Sequence, residues 1–174
     1  MKKILKSYNA LSNVKISTFF QAYQKKLQLT FTLEGDLNAY LLPKEEKILR
    51  ANELWKATCF ELFLADTESK EYYELNISSS LAWNFYFLKE YRVKPEEVKN
   101  LLIPKIKSFR NKDKYEIIFE LESAEIDFEK FELFNLATIL LTVKKERTFW
   151  SFIPQSGVPD FHNRRGFLKR KKES

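Results

Sequence analysis

Strict alternation of apolar and polar residues recurs along this chain, and no other pattern in it narrows the available folds as much. Leu27, Leu29, Phe31 and Leu33 interleave with Lys26, Gln28, Thr30 and Thr32, the period of two expected of a strand with one buried and one wet face. Tyr115, Ile117, Phe119 and Leu121 repeat the pattern against Lys114, Glu116, Glu120 and Glu122. Further strands are predicted near residues 13–20, 57–65, 71–78, 82–89, 133–144 and 147–153, which are rich in Phe, Tyr, Ile and Thr. Eight strands in one domain, residues 1–167, predict an all-β fold, an antiparallel β-sandwich, because most connections are too short to carry a crossover helix. Two stretches break the rhythm. Residues 37–56, with Pro43 and Lys44-Glu45-Glu46-Lys47, read as a long loop with one helical turn. Residues 95–102 open with Pro95 and the acids Glu96 and Glu97, which predicts one short helix. Residues 168–174 lack the apolar content to pack and are expected to form a disordered basic tail.

Charge and rare residue types exclude several classes of function. The chain carries 30 Lys plus Arg against 24 Asp plus Glu, a net charge of +6, which on its face suggests an anionic partner. The last twelve residues alone hold +5 of it, leaving residues 1–162 at +1. The excess therefore describes a tail, and nucleic acid or an acidic surface meeting Arg164 to Lys172 is an alternative reading rather than the leading one. Three scattered glycines, Gly35, Gly157 and Gly166, cannot form a phosphate-wrapping loop. With one cysteine, Cys59, and one histidine, His162, neither an internal disulfide nor a Cys/His zinc site can be assembled, and no metal is expected. The sole methionine, Met1, leaves Met/His-ligated haem without a plausible ligand pair, so no cofactor is expected, although haem held by His162 alone stays open. Lys6, Asn9 and Asn13 interrupt the N-terminal segment before an apolar run forms, and no later segment is long and apolar enough to span a bilayer. A cytoplasmic location and no membrane partner are the expectation.

Along residues 57–65, alternation puts Cys59, Glu61 and Phe63 on one face and Phe60, Leu62 and Leu64 on the other. In the following strand Tyr72, Glu74 and Asn76 share a face. A hairpin around residues 66–70 would bring Glu61 near Glu74, and carboxylates among apolar neighbours call for a cation such as Arg92 or Arg50. They read as a structural ion pair, as ligand-orienting groups or as acids for glycoside hydrolysis. Nothing in the sequence singles out the raised acid that the last role requires. Trp55, Trp83 and Trp150 offer flat apolar surfaces for stacking, and Trp55, at the end of the loop, is the one expected to be exposed.

Leu54-Trp55 with Thr58-Cys59-Phe60-Glu61 and Phe63, then Tyr73-Glu74, Asn76 and Ser78, then Trp83, Tyr86 and Tyr91-Arg92, and finally Trp150 and Pro159-Asp160-Phe161-His162, follow one another in a characteristic order. In these segments, from about Glu53 to Phe167, the chain resembles the bacterial DOMON-like proteins related to family 9 carbohydrate-binding modules. It departs from them at Asn76-Ile77-Ser78-Ser79-Ser80-Leu81, a serine run where the family has a Pro- and Gly-containing turn, and at Ile153, near where many relatives carry histidine. The resemblance implies a jelly-roll sandwich with a pocket on one face that takes sugars or haem. The expected function is therefore non-catalytic binding of a carbohydrate or similar small polar ligand, with Trp55, Glu61, Glu74, Asn76, Arg92, Trp150 and His162 as ligand-binding candidates. His162 also reads as a structural residue that fixes the Pro159-Asp160 loop, and a sandwich serving only protein interaction is a further alternative.

Overall fold

The computed structural model describes residues 2–8, 13–43 and 47–170. Residues 44–46 of the predicted loop and residues 171–174 of the predicted tail lie outside them. Among the described residues thirteen strands form: β1 (Lys2–Ser7), β2 (Val14–Tyr23), β3 (Lys26–Gly35), β4 (Leu49–Arg50), β5 (Cys59–Ala65), β6 (Tyr72–Ser78), β7 (Ala82–Leu88), β8 (Glu96–Glu97), β9 (Lys105–Arg110), β10 (Lys114–Glu122), β11 (Leu133–Leu141), β12 (Arg147–Ser151) and β13 (Leu168–Lys169). They follow the order β4-β7-β6-β5-β11-β12-β1-β2-β3-β10-β9, with β8 on β7 and β13 on β11. Every pairing is antiparallel except that of β4 with β7.

The sheet folds over at β1. Lys2–Leu5 pair with β2, whereas Lys6 and Ser7 pair with β12, so one strand serves two layers. The alternation read from the sequence now has its explanation. Leu27, Leu29, Phe31 and Leu33 of β3 pair in register with Leu121, Phe119, Ile117 and Tyr115 of β10, and all eight are buried. They face Phe60, Leu62, Leu75, Ile77, Phe85 and Leu136 of the other layer in one continuous core. Aromatic pairs tie the layers together, among them Phe31–Phe60 at 5.1 Å, Phe20–Phe134 at 5.0 Å and Trp83–Phe119 at 6.0 Å between ring centroids, each stabilising by about 0.5–1.5 kcal/mol beyond area burial.

Two local expectations are corrected. Residues 95–102 form no helix. Glu96 and Glu97 pair with Phe87 and Tyr86 as β8, and the Val98 amide donates to the Phe85 carbonyl at 2.9 Å. An isolated two-turn helix is marginal, and here it would compete with the open hydrogen-bonding edge of β7 and with packing of Val98 and Leu101 on the core. The start of the tail is ordered as well. Leu168 and Lys169 pair with Phe134 and Leu133, Leu168 packs on the core, and the Arg170 guanidinium donates to the carbonyls of Ala22, Phe128, Glu129 and Phe131 at 3.0–3.5 Å.

The residues from Ser78 to Leu81 turn the chain from β6 to β7 without glycine or proline. Ser78 Oγ accepts from the Ser80 amide at 3.0 Å, and Leu81 takes the left-handed conformation at φ +70°, a strained choice for a γ-branched residue. No helix of the described residues is long and apolar enough to cross a membrane.

Candidate functional site

β5, β6 and β7 are buried on both faces. Their outer face is covered by segments around residues 52–55, 91–95 and 159–167, and it carries its own cluster of Cys59, Phe63, Tyr72, Tyr86, Ile139, Phe161 and Phe167. This cover is incomplete. It leaves a cleft of about 630 Å³, a size that suits a small ligand.

Six of the seven predicted ligand-binding residues line this cleft: Trp55, Glu61, Glu74, Asn76, Arg92 and His162. Glu61 and Asn76 are direct cross-strand partners, and Glu74 lies on the diagonal from Glu61. Trp55 stands in a one-turn 3-10 helix, Leu54–Lys56, that follows the left-handed Glu53 at φ 59°. It is 43% exposed, with the cations of Lys56 and Arg147 over its ring at 5.7 and 5.8 Å.

Trp150 is the exception. It is 4% exposed and packed in the core between the layers, and its indole N–H donates to Thr148 Oγ1 at 3.3 Å. The reason lies in the pleat. On β12, Thr148 and Trp150 point inward while Arg147 and Phe149 point to the cleft. The alternation that identified the strands would have selected Phe149 and rejected Trp150. The same rule applied to β7 would have found Tyr86, whose hydroxyl donates to Asn52 Oδ1 at 2.6 Å. Asn52 has no comparable signal, since its place depends on the loop path.

The expected ion pairs are not formed. Arg50 donates to Asn84 Oδ1 and the Val98 carbonyl at 3.4 and 2.7 Å, and its guanidinium lies over Trp83 at 4.5 Å. Arg92 pairs instead with Asp160 at 3.0 Å, where Tyr91 also donates at 2.6 Å. Burial opposes the Asp160 carboxylate, but these two donors together outweigh it and hold its carboxyl below the usual range. Among the described residues, the carboxyls of Glu61 and Glu74 are consequently left without a lysine or arginine partner. Burial, reinforced by the neighbouring Glu74, pushes Glu61 well above the ordinary carboxylate range. Burial raises Glu74 too, although Asn76 donates to it at 2.9 Å and Arg92 acts in the opposite direction.

His162 forms the wall between these acids and the Asp160 cluster. The Arg92 amide donates to the Tyr72 hydroxyl at 3.2 Å, and that hydroxyl meets His162 Nδ1 at 2.8 Å. The other ring nitrogen, Nε2, lies 4.0 Å from Glu74 Oε2. Burial, with Arg92 adding to it, lowers His162 to about 4, so this approach is not an ion pair at neutral pH. Among the described residues, no group of three His, Cys, Asp or Glu side chains could hold a metal ion.

A smaller cavity of about 370 Å³ lies on the other layer beside Tyr23, Leu102 and Ile103. Its Lys26 and Glu122 neutralise one another at 3.2 Å. In the cleft, by contrast, polar groups are held on the floor without charge partners.

No protein-family model and no curated protein matches this sequence. Among solved structures, the fold is similar to that of a proposed carbohydrate-binding protein from Bacteroides uniformis ATCC 8492. The match covers 97% of this chain and 84% of the other, with a TM-score of 0.66 at 11% identity. It is also similar to a family 9 carbohydrate-binding module from Caldicellulosiruptor kristjanssonii in complex with glucose. There the match covers 90% of this chain and 76% of that one, with a TM-score of 0.52 at 10% identity. At such identities the likeness is one of fold, a curled, mostly antiparallel β-sandwich.

Proposed function

We propose that this protein is a non-catalytic carbohydrate-binding β-sandwich, related to the family 9 modules and their DOMON-like kin, and that its ligand enters the cleft over β5, β6 and β7. The observation that carries the reading is the convergence of an exposed tryptophan with unpaired polar groups in one open cleft. Asn76 is 2% exposed and lines the floor, yet its Oδ1 accepts no hydrogen bond, an arrangement that favours a ligand bringing donors of its own. Trp55 supplies a flat apolar surface at the rim, and a pyranose has both the C–H face to stack there and the hydroxyls to reach the floor. An open cleft beside Trp55 also favours ligand binding over a purely protein-interaction role.

The alternative of nucleic-acid binding through the basic tail loses two of its cations, Arg164 and Arg170, to carbonyls of the fold. Arg164 donates to the carbonyls of Asp66, Ser69 and Glu71, and Arg170 is bound as described above.

A glycan array followed by titrations read by tryptophan fluorescence tests the proposal. The wild type responds saturably to at least one sugar, and Trp55→Ala loses tenfold or more in affinity, about 1.4 kcal/mol or more, with its melting temperature unchanged. Silence of the wild type across the array would overturn the reading.

A further inference from the structure

Resting on that reading of the cleft, we propose that the ligand presents a protonated primary amine to the floor, and that the protein therefore selects amino sugars over their neutral and N-acetylated counterparts. The floor is built as an acceptor site. Glu61 and Glu74 are 3% and 9% exposed and sit diagonally across the β5–β6 pairing. Among the described residues no lysine or arginine forms an ion pair with either. Between them in register stands Asn76, whose Nδ2 is engaged by Glu74 Oε1 and whose Oδ1 is unpartnered. Two carboxyls and one amide oxygen thus share a single patch of floor.

An ammonium group carries three N–H donors and one positive charge, which matches three acceptors and supplies the missing cation. A hydroxyl offers one donor and no charge. Burial favours the protonated form of both acids in the free cleft, and an arriving ammonium favours ionisation of the acid it contacts, which releases its proton to solvent and gains charge-assisted bonds.

The other charged groups of the cleft do not take this role. Arg92 is engaged by Asp160, Arg147 lies over Trp55 and Phe149, Glu53 is paired with Lys56 at 2.7 Å, and Lys94, which also lines the cleft, forms no ion pair with Glu61 or Glu74. Glu97 accepts from Asn84 at 3.2 Å. From the elements packed on Glu61, the titratable neighbours are Cys59 on its own strand and Glu74 on β6, while the facing β11 contributes the uncharged Ala137. His162, beside Glu74, is neutral at pH 7. Among the described residues, therefore, no lysine or arginine is paired with either acid of the floor.

Titration of the full-length protein with glucosamine, glucose and N-acetylglucosamine by calorimetry, at a pH where glucosamine is protonated, tests the inference. Glucosamine is expected to bind at least tenfold tighter than either of the others, and Glu61→Gln and Glu74→Gln are each expected to shrink that ratio. Because the comparison is made first on the wild type, misfolding of a variant does not obscure the answer. Equal or weaker binding of glucosamine than of glucose would overturn the inference while leaving carbohydrate binding intact. Failure of all three sugars, together with a silent glycan array, would overturn both.

Discussion

At the scale of single residues, the cleft separates groups that stabilise the fold from groups poised toward a ligand, and pH distinguishes them. His162 has its folded pKa depressed to about 4. Its neutral form belongs to the native state, so the stability it contributes is present above pH 6.5 and lost as pH falls toward 4, on the order of 3 kcal/mol. Glu61 behaves oppositely. Its folded pKa is raised, so its contribution is present at and below the ordinary carboxylate range and is lost as pH rises through the folded value. Urea denaturation across pH should therefore show stability falling on the acid side in the wild type and less steeply in His162→Phe. As pH rises above the ordinary carboxylate range the Glu61 contribution should be lost, and Glu61→Gln should flatten that limb. Trp150→Ala, in contrast, should cost about 3–5 kcal/mol of stability through the cavity it leaves in the core, measurable in the same assay. Trp55→Ala should cost little stability, since Trp55 is half-exposed.

Among the strands, legibility in the sequence followed burial. β3 and β10 were visible because one apolar face must meet the core and a period of two shows through directly, whereas β2, β5, β6, β7, β11 and β12 were visible through their content of aromatic and β-branched residues. β1 and β9 were not. In β1 only Leu5 is buried among Lys2, Lys3 and Lys6, and in β9 only Ile106, so pairing with a neighbour's backbone, rather than side-chain pattern, makes them strands. The edge strand β9 also carries Lys105 and Lys107, charges of the kind that deter further pairing. β8 and β13 were misread for a related reason: two-residue strands exist only where a neighbouring edge offers hydrogen bonds. The ordered end has a measurable consequence. Removing residues 168–174 deletes the β13 pairing and the four Arg170 bonds, and should lower stability by about 2–4 kcal/mol, with Arg170→Ala reproducing part of the loss in thermal melts. A free tail would change nothing.

For the whole molecule, the layered architecture explains why one sheet face became a site. The layer β1–β2–β3–β10–β9 presents its outer face to solvent, whereas β5, β6 and β7 are covered on both sides, and that cover leaves an opening between the Trp55 turn and the His162 loop. Six candidate residues could be named from the sequence because alternation put Glu74 and Asn76 on one face and Glu61 on a paired one, the acids called for a cation such as Arg92, Trp55 ends a loop, and the family resemblance ran through to His162. Their convergence could not be read there, nor could the engagement of Arg92 by Asp160, since both depend on loops that cross the outer face. The central claim is that this cleft takes the ligand. Its most direct test is nitrogen-15 NMR of the wild type titrated with the tightest-binding sugar from the array. The Trp55 indole and the side-chain amides of Asn52, Asn76 and Asn84 should shift together and saturate along one curve. Shifts confined to the cavity beside Tyr23, Leu102 and Ile103, with these four groups unmoved, would contradict it.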